Sequence, residues 1–145
     1  MKSLTKEQIK EIAEQLDCGF RCFWSKTDGE LLFIPDTLKH PDMDTDAWSD
    51  ELEKLDANFF DYKEIDQLES SDSFEIMADF VETLYDSNKL KDKLIDALNK
   101  RRPFREFKFA IDNSGEYRQK WFAFKNEKMQ EWVMKRFDEI QNLER

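Results

Sequence analysis

The first quarter of the chain changes from a helical to a strand-like pattern of apolar residues. Between residues 5 and 16 the apolar positions recur every three or four residues, which predicts an amphipathic helix. The buried face of this helix is expected to consist of Ile9, Ile12, Ala13 and Leu16. Thr5 and Gln8 fit a capping box, because the hydroxyl and the amide can each satisfy a free backbone N–H.

Two short aromatic and aliphatic runs follow, at residues 19–24 and 31–34, and they flank Asp28 and Gly29. Both turn residues tolerate the positive φ angles of tight hairpins, so this stretch predicts two antiparallel strands. Pro35 has no backbone N–H to donate and is expected to end the second strand.

The middle of the chain carries a weaker pattern. An acidic connector at residues 35–47 precedes a predicted short helix at 48–57. The apolar side of that helix is Trp48, Leu52 and Leu55. Residues 59–68 are mixed, and we interpret them as a third strand beside the hairpin. The apolar residues of this strand are Phe60, Tyr62 and Ile65.

From Ser70 onward the apolar spacing is helical almost without interruption. Asp72 with Glu75 can cap a first helix, whose predicted buried face is Phe74, Met77, Phe80, Val81 and Leu84. Ser87 or Asn88 is predicted to start the next helix. Its inward residues are Leu90, Leu94, Ile95, Ala97 and Leu98.

Two further helices complete the pattern. Pro103 is well placed at the first position of one of them, whose stripe is Phe104, Phe107 and Ile111. Asn113-Ser114-Gly115 breaks that helix, and the last one is predicted over residues 116–143. Its apolar series is Tyr117, Trp121, Phe124, Met129, Trp132, Val133, Phe137 and Ile140.

This order of elements predicts an α+β fold, with an N-terminal helix and a small antiparallel hairpin sheet followed by a C-terminal helical bundle. A chain of 145 residues is the size of one domain. We therefore expect a single domain over residues 1–145, with a sheet-containing part at about 1–69 and a helical part at about 70–145.

Composition and charge narrow the function classes. The chain is 14% aromatic, which is enough for a packed core. It has 23 Lys and Arg against 33 Asp and Glu, a net charge of -10, and this disfavours nonspecific nucleic-acid binding. Residues 1–99 hold 11 basic and 25 acidic side chains, whereas residues 100–145 hold 12 and 8. The positive last third is either a set of solvated helix faces or a basic face for an anionic partner.

No apolar run reaches the roughly 20 residues of a membrane span, so an integral membrane protein is not expected. The first residues enter a charged stretch without the apolar segment of a secretory signal, which favours the cytoplasm. In that reducing compartment Cys18 and Cys22, four residues apart and on one face if they share a strand, are expected to be small apolar fillers. With His40 they give three of the four ligands of a structural zinc site, so we expect no cofactor.

The acidic stretch from Asp42 to Glu53 has the length of a calcium-binding loop. Its candidate ligands are Asp42, Asp44, Asp46, Asp50 and Glu53. Calcium loops turn sharply at their sixth position, where Gly is needed, but Ala47 stands there. We therefore favour no metal, and interpret these acids as stabilising a helix N-terminus, with Thr45 or Asp46 as its cap.

The segment from Lys100 to Lys108 is the main candidate for binding an anion. Its candidate residues are Arg101, Arg102, Arg105 and Lys108. Arg offers a planar fork of donors that matches phosphate, and nearby aromatic rings can stack on bases. The same pattern also arises in any amphipathic helix with Phe inward and Arg or Lys outward. Both interpretations remain open on the sequence.

A second cluster is aromatic and consists of Trp121, Phe122, Phe124 and Trp132. Most of it is expected in the core, and Phe122 is the member that a partner or self-association surface would use. For catalysis the sequence offers no nucleophile turn and no phosphate-binding glycine loop. Asp79 and Glu82 form a carboxylate pair of a kind expected by chance among 33 acids, so the sequence favours a non-catalytic protein.

Three segments resemble a known bacterial family. The hairpin from Trp24 to Leu31, the helix from Phe74 to Val81 and the C-terminal signature are similar to those of uncharacterised protein family 0158. The signature comprises Leu94 to Leu98, Arg102 to Lys108 and Trp121 to Phe124. The resemblance spans roughly residues 8–140 and does not include the connector at 36–50. It implies one domain of intracellular bacterial origin and transfers no catalytic residue.

We therefore expect a cytoplasmic, non-catalytic module that recognises a macromolecule, with a protein more favoured as partner than a nucleic acid. Self-association is compatible with the same features. The alternative is nucleic-acid or polyanion binding through the basic helix around Arg101–Lys108. A metal-dependent hydrolase that uses scattered carboxylates ranks third.

Overall fold

A computed structural model describes residues 3–85 and 88–143. The helices are α1 (Lys6–Asp17), α2 (Ser49–Ala57), α3 (Ser70–Glu82), α4 (Asn88–Leu98), α5 (Pro103–Asp112) and α6 (Tyr117–Leu143), and the strands are β1 (Phe20–Ser25), β2 (Leu31–Pro35) and β3 (Tyr62–Ile65). Two short 3₁₀ turns lie at Thr45–Trp48 and Phe59–Asp61. The predicted α+β fold is confirmed: a helix, a three-stranded antiparallel sheet and then helices.

The chain forms two compact units, and each is described by itself. The sheet unit comprises the chain up to Gln67 together with the chain from Met129 onward. The helical unit is Leu68–Lys128. The sequence assigned residues 129–143 to the helical part, whereas in the structure they pack with the sheet, as the edge-on contact between Phe137 and Trp24 at 4.9 Å shows. The prediction of a single domain remains a prediction.

In the sheet unit, β1 is the central strand and pairs antiparallel with both neighbours, in the order β2-β1-β3. The hairpin closes where the Ser25 N–H donates to the Glu30 carbonyl at 2.8 Å. Gly29 adopts φ +76°, as the turn requires. The predicted hairpin is confirmed, with its positive φ at Gly29, and the Asp28 carboxylate accepts from the Glu30 N–H at 2.9 Å and fixes the turn through its side chain.

Both faces of β1 are covered. Alternation along the strand points Phe23 to one face and Trp24 to the other. Phe23 packs in a cluster with Tyr62, against which Trp48 lies partly buried. Trp24 meets Phe137 on the opposite face, and α1 packs against β1. This double coverage explains why β1 reads as a continuous apolar run rather than as an alternating one.

Two residues of the middle segment are not where the pattern predicted. Phe60 was expected on the third strand but lies in the 3₁₀ turn before β3, where it is 87% exposed. Leu52 was expected on the buried side of α2 and is exposed, because only Trp48 and Leu55 reach the sheet cluster. The strand itself is confirmed at Tyr62–Ile65.

Trp121 lies at the centre of the helical unit. Its ring packs edge-on against Phe107 at 4.9 Å and against Phe80 at 5.3 Å. These aromatic contacts connect α3, α5 and α6, and Phe124 adds a further ring contact to Phe80. Ile111, Leu94 and Val81 complete a dry core around them. The expectation that Phe107 and Trp121 lie inside is confirmed.

Three other residues predicted inside are exposed: Phe74, Ile95 and Phe104. Phe104 lies in the first turn of α5 and Phe74 is the fifth residue of α3, and each precedes the buried residues of its helix. Ile95 directly follows the fully buried Leu94 and is therefore rotated about 100° away from the packed face of α4.

The predicted first residues and caps of the helices are partly confirmed. α3 is capped by Glu69, which forms a reciprocal box with Asp72, rather than by Asp72 with Glu75. α4 begins at Asn88, one of the two predicted starts, and Ser87 lies outside the described residues. The predicted capping box of Thr5 and Gln8 on α1 is confirmed.

Gly19 is the position where the backbone depends most on the absence of a side chain. It follows α1 at φ +83°, and a Cβ there would lie 2.8 Å from Nε2 of His40. The same His40 atom is 2.9 Å from the Cys18 carbonyl oxygen, in a hydrogen bond that ties the connector to the end of α1.

We expect Gly19→Ala to lower the free energy of unfolding by about 2–3 kcal/mol. The left-handed conformation accounts for about 1–2 kcal/mol and the displaced His40 hydrogen bond for about 1 kcal/mol. Urea denaturation monitored by circular dichroism measures this loss.

Gly115→Ala is the matched control, since Gly115 also has positive φ, at +67°, while no described atom lies within 4 Å of its Cβ position. It should cost about 1 kcal/mol less than Gly19→Ala. When His40 is already replaced by Ala, Gly19→Ala should cost no more than Gly115→Ala does in the wild-type protein. Equal losses at Gly19 and Gly115 would contradict the proposed role of His40.

Candidate recognition surface

The four predicted cations come together beside one helix. Arg101 and Arg102 lie in the connection between α4 and α5, and Arg105 and Lys108 lie on α5 itself. All four side chains are exposed. Pro103 occupies the first position of α5, where its missing N–H costs nothing. We call Arg101, Arg102, Arg105 and Lys108 the cationic surface.

The orientation of this surface follows from the buried side of α5. Phe107 and Ile111 are each only 1% exposed and hold the helix against the core. Arg105 and Lys108 are three residues apart, so they share a different side of the helix. Burial of one stripe therefore places these two cations in solvent.

Within residues 3–85 and 88–143, none of the four cations forms an ion pair. Other arginines hold the fold instead. Arg21 makes two hydrogen bonds of 2.9 Å to Glu64 across the sheet, which raise the pKa of its guanidinium. Arg136 binds Asp66 and Glu139, and Arg118 binds Asp112 at 3.2 Å. The cationic surface is thus distinct from the cations that the fold uses.

Aromatic rings lie close to cations on α6 as well. The guanidinium of Arg118 lies 4.7 Å from the centre of the Phe122 ring, and the ammonium of Lys125 lies 5.7 Å from the same centre. Phe122 is partly exposed, as the sequence anticipated for this member of the aromatic set. The arrangement leaves an aromatic face bracketed by positive charge.

Charge is distributed unevenly between and within the two units. The helical unit holds 12 basic and 12 acidic residues, so the whole net charge of -10 belongs to the sheet unit. Within the helical unit, residues 100–128 hold 9 basic and 4 acidic side chains. The cationic surface therefore lies in the positive part of an otherwise acidic chain.

The candidate calcium loop forms the start of a helix. Residues 45–48 make a 3₁₀ turn that runs into α2, and Asp50 and Glu53 lie on that helix. Asp44 caps the turn by accepting from the Asp46 N–H at 2.9 Å, so the predicted cap at Thr45 or Asp46 is wrong by one or two residues. The backbone never turns sharply at Ala47, since no described residue other than Gly has positive φ.

The two cysteines do not share a strand face. Cys18 is the exposed C-terminal cap of α1, whereas Cys22 is buried in the middle of β1. Across the described part of the chain no three Asp, Glu, His or Cys side chains lie close enough together to hold a metal ion. The carboxylates of Asp79 and Glu82 both lie exposed on α3.

Sequence reasoning missed Phe109 on α5 and Lys93 on α4. Phe109 is 69% exposed, although it is a large apolar side chain on a packed helix. The signal was present, since Phe104, Phe107 and Phe109 together exceed one helical stripe. The significance of Lys93 depends on which face of α4 meets α5, and the spacing alone does not give this.

Burial raises the pKa of the Cys22 thiol above its ordinary value, and Glu11 and Glu64 add to the effect. Below about pH 8.5, the pKa of this thiol in the unfolded chain, the contribution of the buried neutral thiol to the free energy of unfolding is fully present. As the pH rises further, the unfolded chain releases the proton while the folded chain keeps it, so this contribution is lost. We expect wild type to lose about 1.4 kcal/mol per pH unit more than Cys22→Ala between about pH 8.5 and pH 10.5.

Urea denaturation across this pH range measures the difference. Cys18→Ala removes an exposed thiol and should keep the wild-type pH dependence. If Cys22→Ala loses stability with pH as steeply as wild type, the buried thiol does not account for the alkaline loss.

We expect calorimetric titration with calcium chloride to give no binding heat at about millimolar concentrations, because Asp44 is already used as a helix cap. Asp44→Ala should lower stability by about 1 kcal/mol through the lost cap. Millimolar or tighter calcium uptake that disappears in Asp44→Ala would instead establish a calcium loop.

Comparison with known proteins identifies a family and a relative. Residues 3–143 match the family described as Uncharacterised protein family (UPF0158). Among curated proteins, the chain is 28% identical over 127 residues to UPF0158 protein PA5073 of Pseudomonas aeruginosa, a match that covers 87% of this chain and 77% of that protein. No solved structure matches the chain.

No helix in the described parts of the chain combines the length and apolar character needed to cross a membrane. The family match extends over nearly all of both units, from α1 through the connector to the end of α6. The resemblance read from the hairpin, α3 and the C-terminal signature is thereby confirmed. The chain belongs to the uncharacterised protein family UPF0158.

Proposed function

We propose that this protein is a non-catalytic, cytoplasmic recognition module that binds an acidic partner protein through the cationic surface. The observation that carries this proposal is the exposure of Arg101, Arg102, Arg105 and Lys108 without an ion pair in the described residues. Cations that neither hold the fold nor face an acid on their own chain are available to a partner.

The composition of the surface favours a protein as partner. Phe104 lies in the first turn of α5 beside Arg105 and is 43% exposed. Arginine and aromatic side chains are enriched at the energetic centres of protein interfaces.

A single-stranded nucleic acid is the second candidate, and one observation favours it. Phe122 lies between Arg118 and Lys125, and such a ring can stack on a base while the cations meet phosphates. This mode predicts affinity that falls steeply with added salt. A metal-dependent hydrolase has less support, since no metal-sized cluster of acids lies in the described residues.

The proposal is tested by fluorescence anisotropy with two labelled probes at low salt. One is a 20-residue peptide of Glu and Asp with interspersed Phe, and the other is a 20-nucleotide single strand of mixed sequence. We expect the peptide to bind more tightly, and Arg101→Glu/Arg105→Glu to weaken its binding at least about tenfold through lost charge-assisted hydrogen bonds.

Lys6→Glu/Lys10→Glu is the matched control, because these two cations are also exposed and four residues apart, on α1. It makes the same change in net charge and should leave peptide affinity within about twofold of wild type. Tighter binding of the DNA, abolished by Phe122→Ala, would replace the protein partner with a nucleic acid. Equal losses in both charge variants would show that net charge, and not the cationic surface, determines binding.

A further inference from the structure

A groove runs along the surface between α4 and α5 in the helical unit. Its volume is about 480 Å³, within the range of sites that bind defined ligands. Leu90, Ala97 and Ala110 form its floor, and Phe109 and Tyr117 contribute aromatic walls. We call this feature the α4–α5 groove, and it uses none of the four residues of the cationic surface.

Small residues in the floor of the groove allow another helix to pack closely against it. Ala97 and Ala110 end at Cβ, so a helix backbone can lie nearer to them than to any longer side chain. Leu90 and Ala97 are about two turns apart on α4 and give an apolar line along the groove. With 11 residues, α4 offers a track of about 16 Å, which is three turns of a docked helix.

Phe109 is the most exposed aromatic side chain among the residues that line the groove. Its ring is 69% exposed, although Phe107 two residues earlier is almost completely buried. A large apolar side chain beside an apolar floor stays exposed at a cost that a packed ligand would remove. The position of Phe109 therefore indicates an apolar occupant.

The rim of the groove is cationic. Lys100 is already engaged, at 3.4 Å from Asp96 and 3.9 Å from Glu106, and these contacts join the end of α4 to α5. Lys89 and Lys93 lie one turn apart along the other rim, and neither pairs with an acid among the described residues. The rim thus offers two ammonium groups to negative side chains that flank an apolar stripe.

From these features we infer that the α4–α5 groove binds an amphipathic helix of a partner protein, with an apolar face and acidic flanks. The apolar face packs on Ala97, Ala110 and Phe109 and completes a three-helix arrangement with α4 and α5. Its acidic flank meets Lys89 and Lys93. This site is separate from the cationic surface, and the inference stands independently of the proposed function.

The test uses a labelled, lactam-stapled 16-residue helix with Leu at positions 1, 4, 5, 8, 11 and 12 and Glu at most others. A second peptide has Lys in place of every Glu. We expect the acidic peptide to bind in anisotropy titrations at 150 mM salt, and the basic peptide to bind at least about tenfold more weakly. Amide shifts of Ala97 and Ala110 in ¹⁵N-resolved spectra should locate the acidic peptide in the groove.

Variants of exposed residues separate the possible outcomes. Phe109→Ala and Lys93→Glu should each weaken acidic-peptide binding about fivefold or more. Phe60→Ala, which removes an even more exposed ring from the sheet unit, should change it less than twofold. Thermal unfolding of each variant confirms that the helices remain folded, and Phe109→Leu should recover most of the affinity if the groove binds apolar surface.

Several results would overturn the inference. Equal affinity for the acidic and basic peptides would remove the role of the lysine rim. Unchanged binding in Phe109→Ala would remove the groove as the site. Loss of peptide binding in Arg105→Glu, with Lys93→Glu unaffected, would transfer the peptide to the cationic surface, refuting the groove and leaving the proposed function intact. Loss of peptide binding in Lys93→Glu, with Arg105→Glu unaffected, would support the groove as the binding site. That conclusion would hold whether or not the cationic surface has a partner of its own.

Discussion

The edge-on contact between Phe107 and Trp121 is the interaction that fixes which residues helix α5 presents to solvent. It holds one side of α5 against the core of the helical unit, together with Ile111. Because an α-helix fixes the direction of every side chain once one side is buried, this contact also determines what the rest of α5 presents. Arg105 and Lys108 face solvent, and Phe109, one turn after Arg105 on the same helix, borders the α4–α5 groove.

The arginines of the described residues fall into two physical groups. Arg21, Arg118 and Arg136 are bound to carboxylates and contribute to the fold, the first across the sheet and the last at the C-terminal part of α6. Arg101, Arg102 and Arg105 have no such partner in the described residues. An exposed cation without a carboxylate partner adds little to stability.

Predictions from the sequence were accurate wherever one periodicity extended over a whole element. The stripe of α1, the hairpin, the third strand and the cores of α3, α4 and α5 all follow from spacing. Leu52 and Ile95 within helices were wrongly expected inside, and the other errors lie near element ends: Phe74 and Phe104 near helix starts, and Phe60 just before a strand. At these positions the spacing still matches the stripe, but no neighbouring element lies opposite, so the side chain remains in solvent.

Local physics determined the class of fold, the order of its elements, the hairpin turn and the charge asymmetry, since each follows from residues close together in sequence. It also identified the four cations, of which an amphipathic helix turns Arg105 and Lys108 outward. Only the tertiary structure decided that the end of α6 packs with the sheet and that α4 and α5 leave a groove between them. Those features depend on which helix faces which, and spacing along one chain does not encode that choice.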